Sequence, residues 1–303
     1  MDKVKAMQTF VRIVEANSFS KAAESLNLPR AALTATMQKL ERHLGAQLLQ
    51  RTTRRLSLTP EGERYYRQCG EILAAIEAAE AAFLGEAGQH LQGSLRIDLP
   101  GALGRAIILP RIAQFRERHP GLDLTISLSD RLVDLTAEGV DCALRVGALQ
   151  DSALVARRIG LMRFAIAAAP AYLARRGVPV SVDDIAGHAG IVHFSGRTGR
   201  AFPWQLQQGA LVREAAPHGA IAVNDAEGNL ILALQGLGLA QLARYQMRAH
   251  AGQLVEVVPE APPTPMPVSL LYPQARSANA RLRAFADWLA ALFADDPDLR
   301  LED

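Results

Sequence analysis

Cysteine is scarce: the 303 residues hold two, Cys69 and Cys142, and neither sits in a Cys-x-x-Cys pair. A zinc knuckle or a thioredoxin-like centre therefore has no support. Only Cys142 lies in the C-terminal half, so a redox switch built from two cysteines that meet there is also excluded. Both thiols read as small hydrophobes. Long apolar runs are missing too. None approaches the ~18 residues that argue for a membrane span, and Met1-Asp2-Lys3 does not open a signal peptide. The expected compartment is the cytoplasm, with no membrane partner. Catalytic signatures are equally thin. There is no Gly-x-Ser-x-Gly, no His-Glu-x-x-His and no phosphate loop, and the seven histidines are scattered without ligand spacing. Ser18-x-x-Lys21 has the form of a penicillin-binding pattern, but it stands where a helix starts and reads as a helix-start serine. Gly236-Leu237-Gly238 lacks the third glycine of a dinucleotide fingerprint, because position 241 is Gln241. No catalytic residue, metal or cofactor is expected, and an enzyme on this chain would lack a catalytic set.

What is present is a globular composition, 49% hydrophobic and 21% charged, long enough for two or three domains. The net charge of +2 conceals an uneven distribution. Residues 1–60 carry ten Lys or Arg against four acids, a net +6, and the remainder carries 23 against 27, a net −4. A basic N-terminal module on a mildly acidic body points to a polyanionic partner.

Within that module, Phe19–Glu41 reads as two short helices around a tight turn. Val4–Ala16 forms a helix ahead of it, with Val4, Met7, Phe10, Val11 and Val14 as the inner stripe. Ser20 is placed to cap the second helix, with Phe19 before it as an apolar staple. Ala22, Ala23 and Leu26 supply its packing face, and Asn27-Leu28-Pro29 ends it. The next helix runs from about Arg30 to His43. Leu33, Met37, Leu40 and Leu44 share its inward face, while Ala31, Thr34, Ala35, Gln38 and Arg42 share the opposite one. A core has little use for that second set. A DNA groove has several: small alanines permit close approach, Thr34 and Gln38 can hydrogen-bond base edges, and Arg42 with the flanking Arg30 and Lys39 can meet phosphates. Gly45 ends the helix. Arg51-Thr52-Thr53-Arg54-Arg55-Leu56-Ser57-Leu58 has the look of a two-stranded wing whose arginines straddle a minor groove or its phosphates. The DNA-binding candidates are thus Ser20, Arg30, Ala31, Thr34, Ala35, Gln38, Lys39, Arg42, Arg51, Thr53 and Arg54.

Thr59-Pro60-Glu61 is a helix start: a capping hydroxyl, proline at the first position and an acid in the first turn. The helix is expected to reach about Ala87. Tyr65, Cys69, Ile72, Ile76, Ala79 and Phe83 follow spacings of four and three, a coiled-coil seam for pairing with a second copy.

The run of residues 1–60 resembles the winged helix-turn-helix of LysR-type transcriptional regulators. The resemblance is carried by Phe10, Ser18-Phe19-Ser20, Ala22-Ala23, Leu26, Ala32-Leu33-Thr34, Leu40-Glu41, Leu44-Gly45, Leu48, Arg51, Arg54, Leu58-Thr59 and Gly62. Thr34 stands where serine is usual and Pro29 where a capping serine is common.

Beyond an expected hinge at 88–93, strands and helices alternate. Leu95–Leu99 reads as a strand, followed by a helix with Ile107, Ile108, Leu109, Ile112 and Phe115. A strand at Leu122–Leu128, a helix capped by Ser129 or Asp130 and running through Glu138, and a strand at Val140–Val146 come next. A second unit starts near Phe164, and Asn279–Phe293 closes the chain with a helix. Such alternation argues for a parallel α/β sheet. Through Gly93–Ile97, Leu109-Pro110 with Phe115 and Pro120, Asp130-Arg131 to Leu135, Gly139–Gly147 and Pro170–Leu173, this half resembles the same family's effector domain, which is similar to periplasmic binding proteins: two α/β lobes with a small molecule between them. The resemblance implies a winged helix-turn-helix domain over 1–59 (helix-turn-helix about 19–38), a linker and dimerisation helix over 60–88, and an effector domain over 89–303. Lobe I takes about 93–161 and 267–303, and lobe II about 162–266.

In open α/β sheets ligands sit beyond the carboxyl ends of the strands. That places Pro100, Gly101, Ala102, Leu103, Ser129, Arg145, Val146, Gly147, His193, Phe194, Ser195 and Asn224 around the effector. Helix-start N–H groups near Ala102 suit an anion; Arg145 suits a carboxylate or a bridge between the lobes, and His193 a hydrogen bond to a ligand or a satisfied interior position, so a small organic acid is one candidate effector. The expected function is a sequence-specific, effector-modulated DNA-binding regulator. It would act on a two-fold symmetric operator as a homodimer or homotetramer, with RNA polymerase as a further partner. The alternative is a sequence-tolerant architectural DNA-binding protein with a vestigial cleft.

Overall fold

The computed structural model describes residues 1–51, 56–83, 91–131, 135–149, 154–216, 218–277 and 279–301. Helix α1 (Lys3–Ala16) leads into α2 (Phe19–Leu26) and α3 (Arg30–Leu44), then the antiparallel pair β1 (Leu49–Arg51) and β2 (Leu56–Leu58), then α4 (Pro60–Phe83). The helix-turn-helix junction is a left-handed Asn27 that ends α2, followed by extended Pro29 ahead of α3. The cap of α2 is Ser18, whose hydroxyl accepts from Lys21 N at 3.3 Å. The helix therefore begins two residues earlier than its sequence suggests: Phe19 is its first residue and Ser20 lies exposed on its surface. The Ser-x-x-Lys pattern is this cap.

The inner side of α1 also differs from the stripe read off the sequence. Ala6, Thr9, Phe10, Val11, Ile13, Glu15 and Ala16 are buried, while Val4 is exposed. The helix is covered on two sides, by α2 and α3 and by α4. A single apolar stripe cannot describe a helix wedged between two partners. Leu44, expected inward, is exposed at the end of α3.

Thr59 caps α4 as expected. Its hydroxyl accepts from Gly62 N at 2.9 Å and donates to Gln47 O at 2.6 Å. Gly62 is required because a Cβ there would stand 2.0 Å from Leu48 O. Tyr65 and Cys69 do not face outward for a second copy. Tyr65 lies 5.6 Å from Phe10 between ring centroids, and Cys69 is fully buried in the same core. Ile72 is exposed, and Ile76 is partly so. Ala79 and Phe83 continue the α4 backbone. Burial pushes the Cys69 thiol up to about 11, against a hydrogen bond from Tyr65, and burial likewise raises Cys142.

The C-terminal half opens with β3 (Gly93–Leu99), followed by α5 (Gly101–Leu103), a π-helical turn (Gly104–Ile108), a 3-10 turn (Leu109–Arg111) and α6 (Ile112–Arg118). Next come β4 (Leu122–Leu128), α7 (Leu135–Glu138), β5 (Cys142–Val146), β6 (Leu154–Met162), β7 (Phe164–Ala168) and α8 (Pro170–Arg176). The chain continues through β8 (Val192–His193), β9 (Trp204–Gln208), β10 (Leu211–Ala215), β11 (Ala222–Val223) and α9 (Ala226–Leu234). It ends with β12 (Ala240–Ala243), α10 (Arg244–Ala249), β13 (Val255–Val257), β14 (Met266–Pro273), a 3-10 turn (Gln274–Arg276) and α11 (Ala280–Ala294).

Lobe I is a five-stranded sheet in the order β4-β3-β5-β14-β6. The first three strands are parallel, as the alternation predicts, but β14 pairs antiparallel with both β5 and β6. β6 carries the chain out to lobe II and β14 brings it back, so the sheet is mixed. In lobe II the order is β12-β7-β13, antiparallel throughout, with the parallel pair β8–β11 beside it. Phe115, Phe285 and Trp288 lock α6 and α11 together, with centroids 5.4–5.6 Å apart. The helix expected to start at Ser129 or Asp130 shows its described part at Leu135–Glu138, and Asp130 is engaged elsewhere.

Candidate DNA-binding surface and interlobe site

Helix α3 divides as its sequence periodicity requires. Leu33, Met37 and Leu40 are each 1% exposed and face the core. Ala31, Ala35, Gln38 and Arg42 are exposed on the other side, with Thr34 partly so and Arg30 and Lys39 exposed at its flanks. At 100° per residue, positions 31, 34, 35, 38 and 42 fall within one face.

A residue not counted as a contact fixes where that face sits. Glu41 Oε1 accepts from Leu48 N at 2.8 Å and Leu49 N at 3.2 Å, tying the end of α3 to the start of the wing. The sequence signal was a glutamate one turn before a helix-ending glycine. Arg51 closes β1 beside Leu56, while Thr53 and Arg54 lie outside the described residues. Of the ten basic residues in this module, Arg12 is not free for phosphate. Its Nε donates to Ser25 Oγ at 2.7 Å and its guanidinium reaches Glu15.

The interlobe region is assembled from the carboxyl ends of β3, β4, β5, β8 and β11. Two of its expected anion anchors are already satisfied internally. Gly101 N donates to Asp130 Oδ1 at 3.1 Å, so the helix start beside Ala102 is occupied by the chain's own carboxylate. Arg145, 9% exposed, pairs with Asp98 at 2.5 Å and donates to Leu144 O and Arg131 O. Ser127 Oγ donates to the other oxygen of Asp98. A buried arginine so committed is not available to a ligand carboxylate. Leu103 points into the lobe I core, and Ala102 is buried. Ser129 Oγ accepts from Arg131 N at 3.2 Å. Gly147, at φ +100°, follows partly exposed Val146 and donates its N–H to Pro267 O.

His193, Phe194, Ser195 and Asn224 are brought together by the β8–β11 pairing, in which His193 stands opposite Val223. Phe194 N donates to Val223 O, and Ser195 Oγ accepts from Thr198 N within its own turn. His193 stacks edge-on against Phe202 at 5.4 Å. Burial holds its imidazole below the ordinary 6.5, against the opposing pull of Asp130 and Asp225 and a backbone bond at Asn224. Two residues not singled out from sequence complete the region. Arg105, on the π-helical turn of lobe I, forms an ion pair with Glu227 in the first turn of α9 in lobe II, joining the lobes. No spacing could have paired residues so far apart; the only local hint was an acid just after the α9 cap Asp225.

Two family models match: the bacterial regulatory helix-turn-helix protein of the lysR family over residues 4–63, and the LysR substrate binding domain over residues 88–294. The chain belongs to the LysR family. It is 38% identical to the HTH-type transcriptional regulator YhjC of Escherichia coli, over 97% of this chain and 99% of that protein. It is 36% identical to an HTH-type transcriptional repressor of Pseudomonas aeruginosa, over 99% and 95% of the two chains. The solved structure of CrgA, a LysR-type transcriptional regulator from Neisseria meningitidis, matches with a TM-score of 0.60 at 33% identity, covering 95% of this chain and 97% of that one. As a LysR-family member, the chain is a transcriptional regulator that joins a helix-turn-helix DNA-binding domain to an effector-binding domain. Regulators of this kind bind DNA and act as oligomers.

Among the described residues no group of three His, Cys, Asp or Glu is arranged to hold a metal ion. No helix among them is long and apolar enough to cross a membrane.

Proposed function

We propose that this LysR-family regulator reads a roughly two-fold symmetric operator by placing two copies of α3 in successive major grooves. The observation that carries this reading is the outward face of α3, where Thr34 and Gln38 stand among small alanines with Arg30, Lys39 and Arg42 at the edges. The dimer seam runs along α4 through exposed Ile72, and two dimers associate through their effector domains. The protein works in the cytoplasm, contacts RNA polymerase when it activates, and has no enzymatic activity.

The effector binds between the lobes. Because Asp98 and Asp130 occupy Arg145 and the Gly101 N–H, an organic acid would take Arg105 from Glu227 instead. Asp130 and Asp225, which face His193, favour an acid that also carries hydrogen-bond donors. The closing of the lobes by such a ligand shifts the population of assemblies and so the DNA contacts.

Selection of fragments from a random DNA pool by the purified protein at physiological salt tests the reading. A convergent two-fold symmetric motif supports it. Recovery of unselected sequence, with and without a metabolite mixture, replaces it with sequence-tolerant architectural binding, whose affinity falls steeply with salt.

A further inference from the structure

Glu15 is 3% exposed, yet it lies on a helix of the DNA-binding module whose other buried residues are apolar or small. Its partner is 261 residues away. Arg276 Nε donates to Glu15 Oε1 at 2.9 Å and its NH2 donates to Oε2 at 2.5 Å, a two-pronged guanidinium–carboxylate pair. The third nitrogen of the same guanidinium reaches Asp141 Oδ1 at 3.1 Å. Asp141, itself buried, accepts from Arg96 N through its other oxygen at 2.8 Å. Arg12 approaches Glu15 from α1 at 3.4 Å and lies against Gly139, where a Cβ would meet its guanidinium at 3.0 Å. Around this contact α1 packs on α7, and α4 packs on the 3-10 turn that bears Arg276. Two arginines and two carboxylates balance each other here, and every one of them is at least partly withdrawn from water.

The placement of the two lobe I members gives the cluster a mechanical meaning. Asp141 immediately precedes β5, whose far end carries Arg145 and Gly147 at the interlobe region. Arg276 closes the turn after β14, the strand that returns from lobe II and pairs with β5 from Val268 to Leu271. β14 thus connects lobe II to Arg276, and β5 connects Arg145 to Asp141.

We infer that Arg276 is a clamp: its pairing with Glu15 and Asp141 fixes the helix-turn-helix module against lobe I, and its release by lobe movement frees that module to reorient. The clamp itself stands on geometry alone; its consequence for transcription rests on the regulator reading above.

The test is amide hydrogen exchange on the full-length protein carrying Arg276→Gln, Glu15→Gln, both changes, or Arg276→Lys. Arg276→Gln should raise exchange across Lys3–Ala16 by at least about tenfold, the scale of losing hydrogen bonds to a charged group. Exchange in β7 and β12 of lobe II should stay unchanged. The double variant should exchange no faster than the worse single one, because both remove the same interaction. Arg276→Lys keeps the charge but loses the fork and should fall between wild type and Arg276→Gln. Wild-type exchange in α1, additive effects in the double variant, or an increase that spreads equally into lobe II would each overturn the clamp. This readout needs no DNA, so its failure is distinct from a failure to bind an operator. With the selected operator in hand, Arg276→Gln should change the bend of the bound DNA. An unchanged bend alongside faster α1 exchange would leave a structural clamp and overturn its regulatory role.

Discussion

The carboxylate of Asp98 on β3 holds the guanidinium of Arg145 on β5 at 2.5 Å, both nearly sealed from solvent at the mouth of the interlobe region. The pair ties neighbouring strands of lobe I and directs Arg145 away from any ligand. Arg145→Ala leaves Asp98 buried without its cation and should lower stability by about 3–5 kcal/mol. Asp98→Asn with Arg145→Met, which removes both charges, should cost far less. Urea unfolding of the two variants checks this. Equal midpoints for both would mean that the pair is not what stabilises this part of the sheet.

Thr34→Ala and Gln38→Ala should relax the preferred operator sequence, each at a cost of roughly 1–3 kcal/mol if a base contact is lost. Arg42→Ala should weaken binding to all sequences alike and flatten the salt dependence. Binding titrations against matched and scrambled operators separate the two behaviours.

Gly62 has no room for a side chain, since its Cβ would stand 2.0 Å from Leu48 O. Gly62→Ala should destabilise the DNA-binding module by about 1–3 kcal/mol or more through overpacking. The loss should appear as faster proteolysis of the module, with the effector domain's own melting transition left in place.

The α4 seam should divide in two. Cys69→Ser puts a smaller, more polar group into the fully buried position beside Tyr65 and should lower the stability of the fold by about 1–3 kcal/mol. Ile72→Asp alters an exposed position and should leave the fold intact while weakening self-association, read by sedimentation equilibrium. If Ile72→Asp leaves the association constant unchanged, the seam lies elsewhere.

His193 is held below its ordinary 6.5 by burial, so the unfolded chain takes up its proton first as the pH falls. Its contribution to stability is complete above that ordinary value and declines as the pH drops from 6.5 toward the folded value. Denaturation midpoints taken between about pH 7.5 and pH 5.5 should fall less steeply for His193→Gln than for the native protein.

The Arg105–Glu227 contact crosses the lobes at exposed positions, so its loss should hardly change stability. On the organic-acid proposal, Arg105→Ala should instead abolish the thermal stabilisation that such a ligand gives. Retained stabilisation would move the acid's partner to another residue.

The helix-turn-helix was legible in the sequence because its information is local. Leu33, Met37 and Leu40 recur at helical spacing, Gly45 ends α3, and Thr59-Pro60 begins α4 with a hydroxyl that accepts from Gly62 N in its own first turn. The strand–helix alternation of lobe I was local in the same sense. Hidden from that reading was every outcome decided by which distant residue arrives first. Residues 98 and 145 are 47 apart, Gly101 and Asp130 are 29 apart, and Glu15 and Arg276 are 261 apart. A charge with no sequence-near partner looks free for DNA or a ligand. Only the tertiary structure showed that Arg145 and the helix start at Gly101 are already satisfied within the chain. It also decided that α1 is buried on two sides, because packing partners, unlike helical periodicity, are not encoded in the spacing of a single segment.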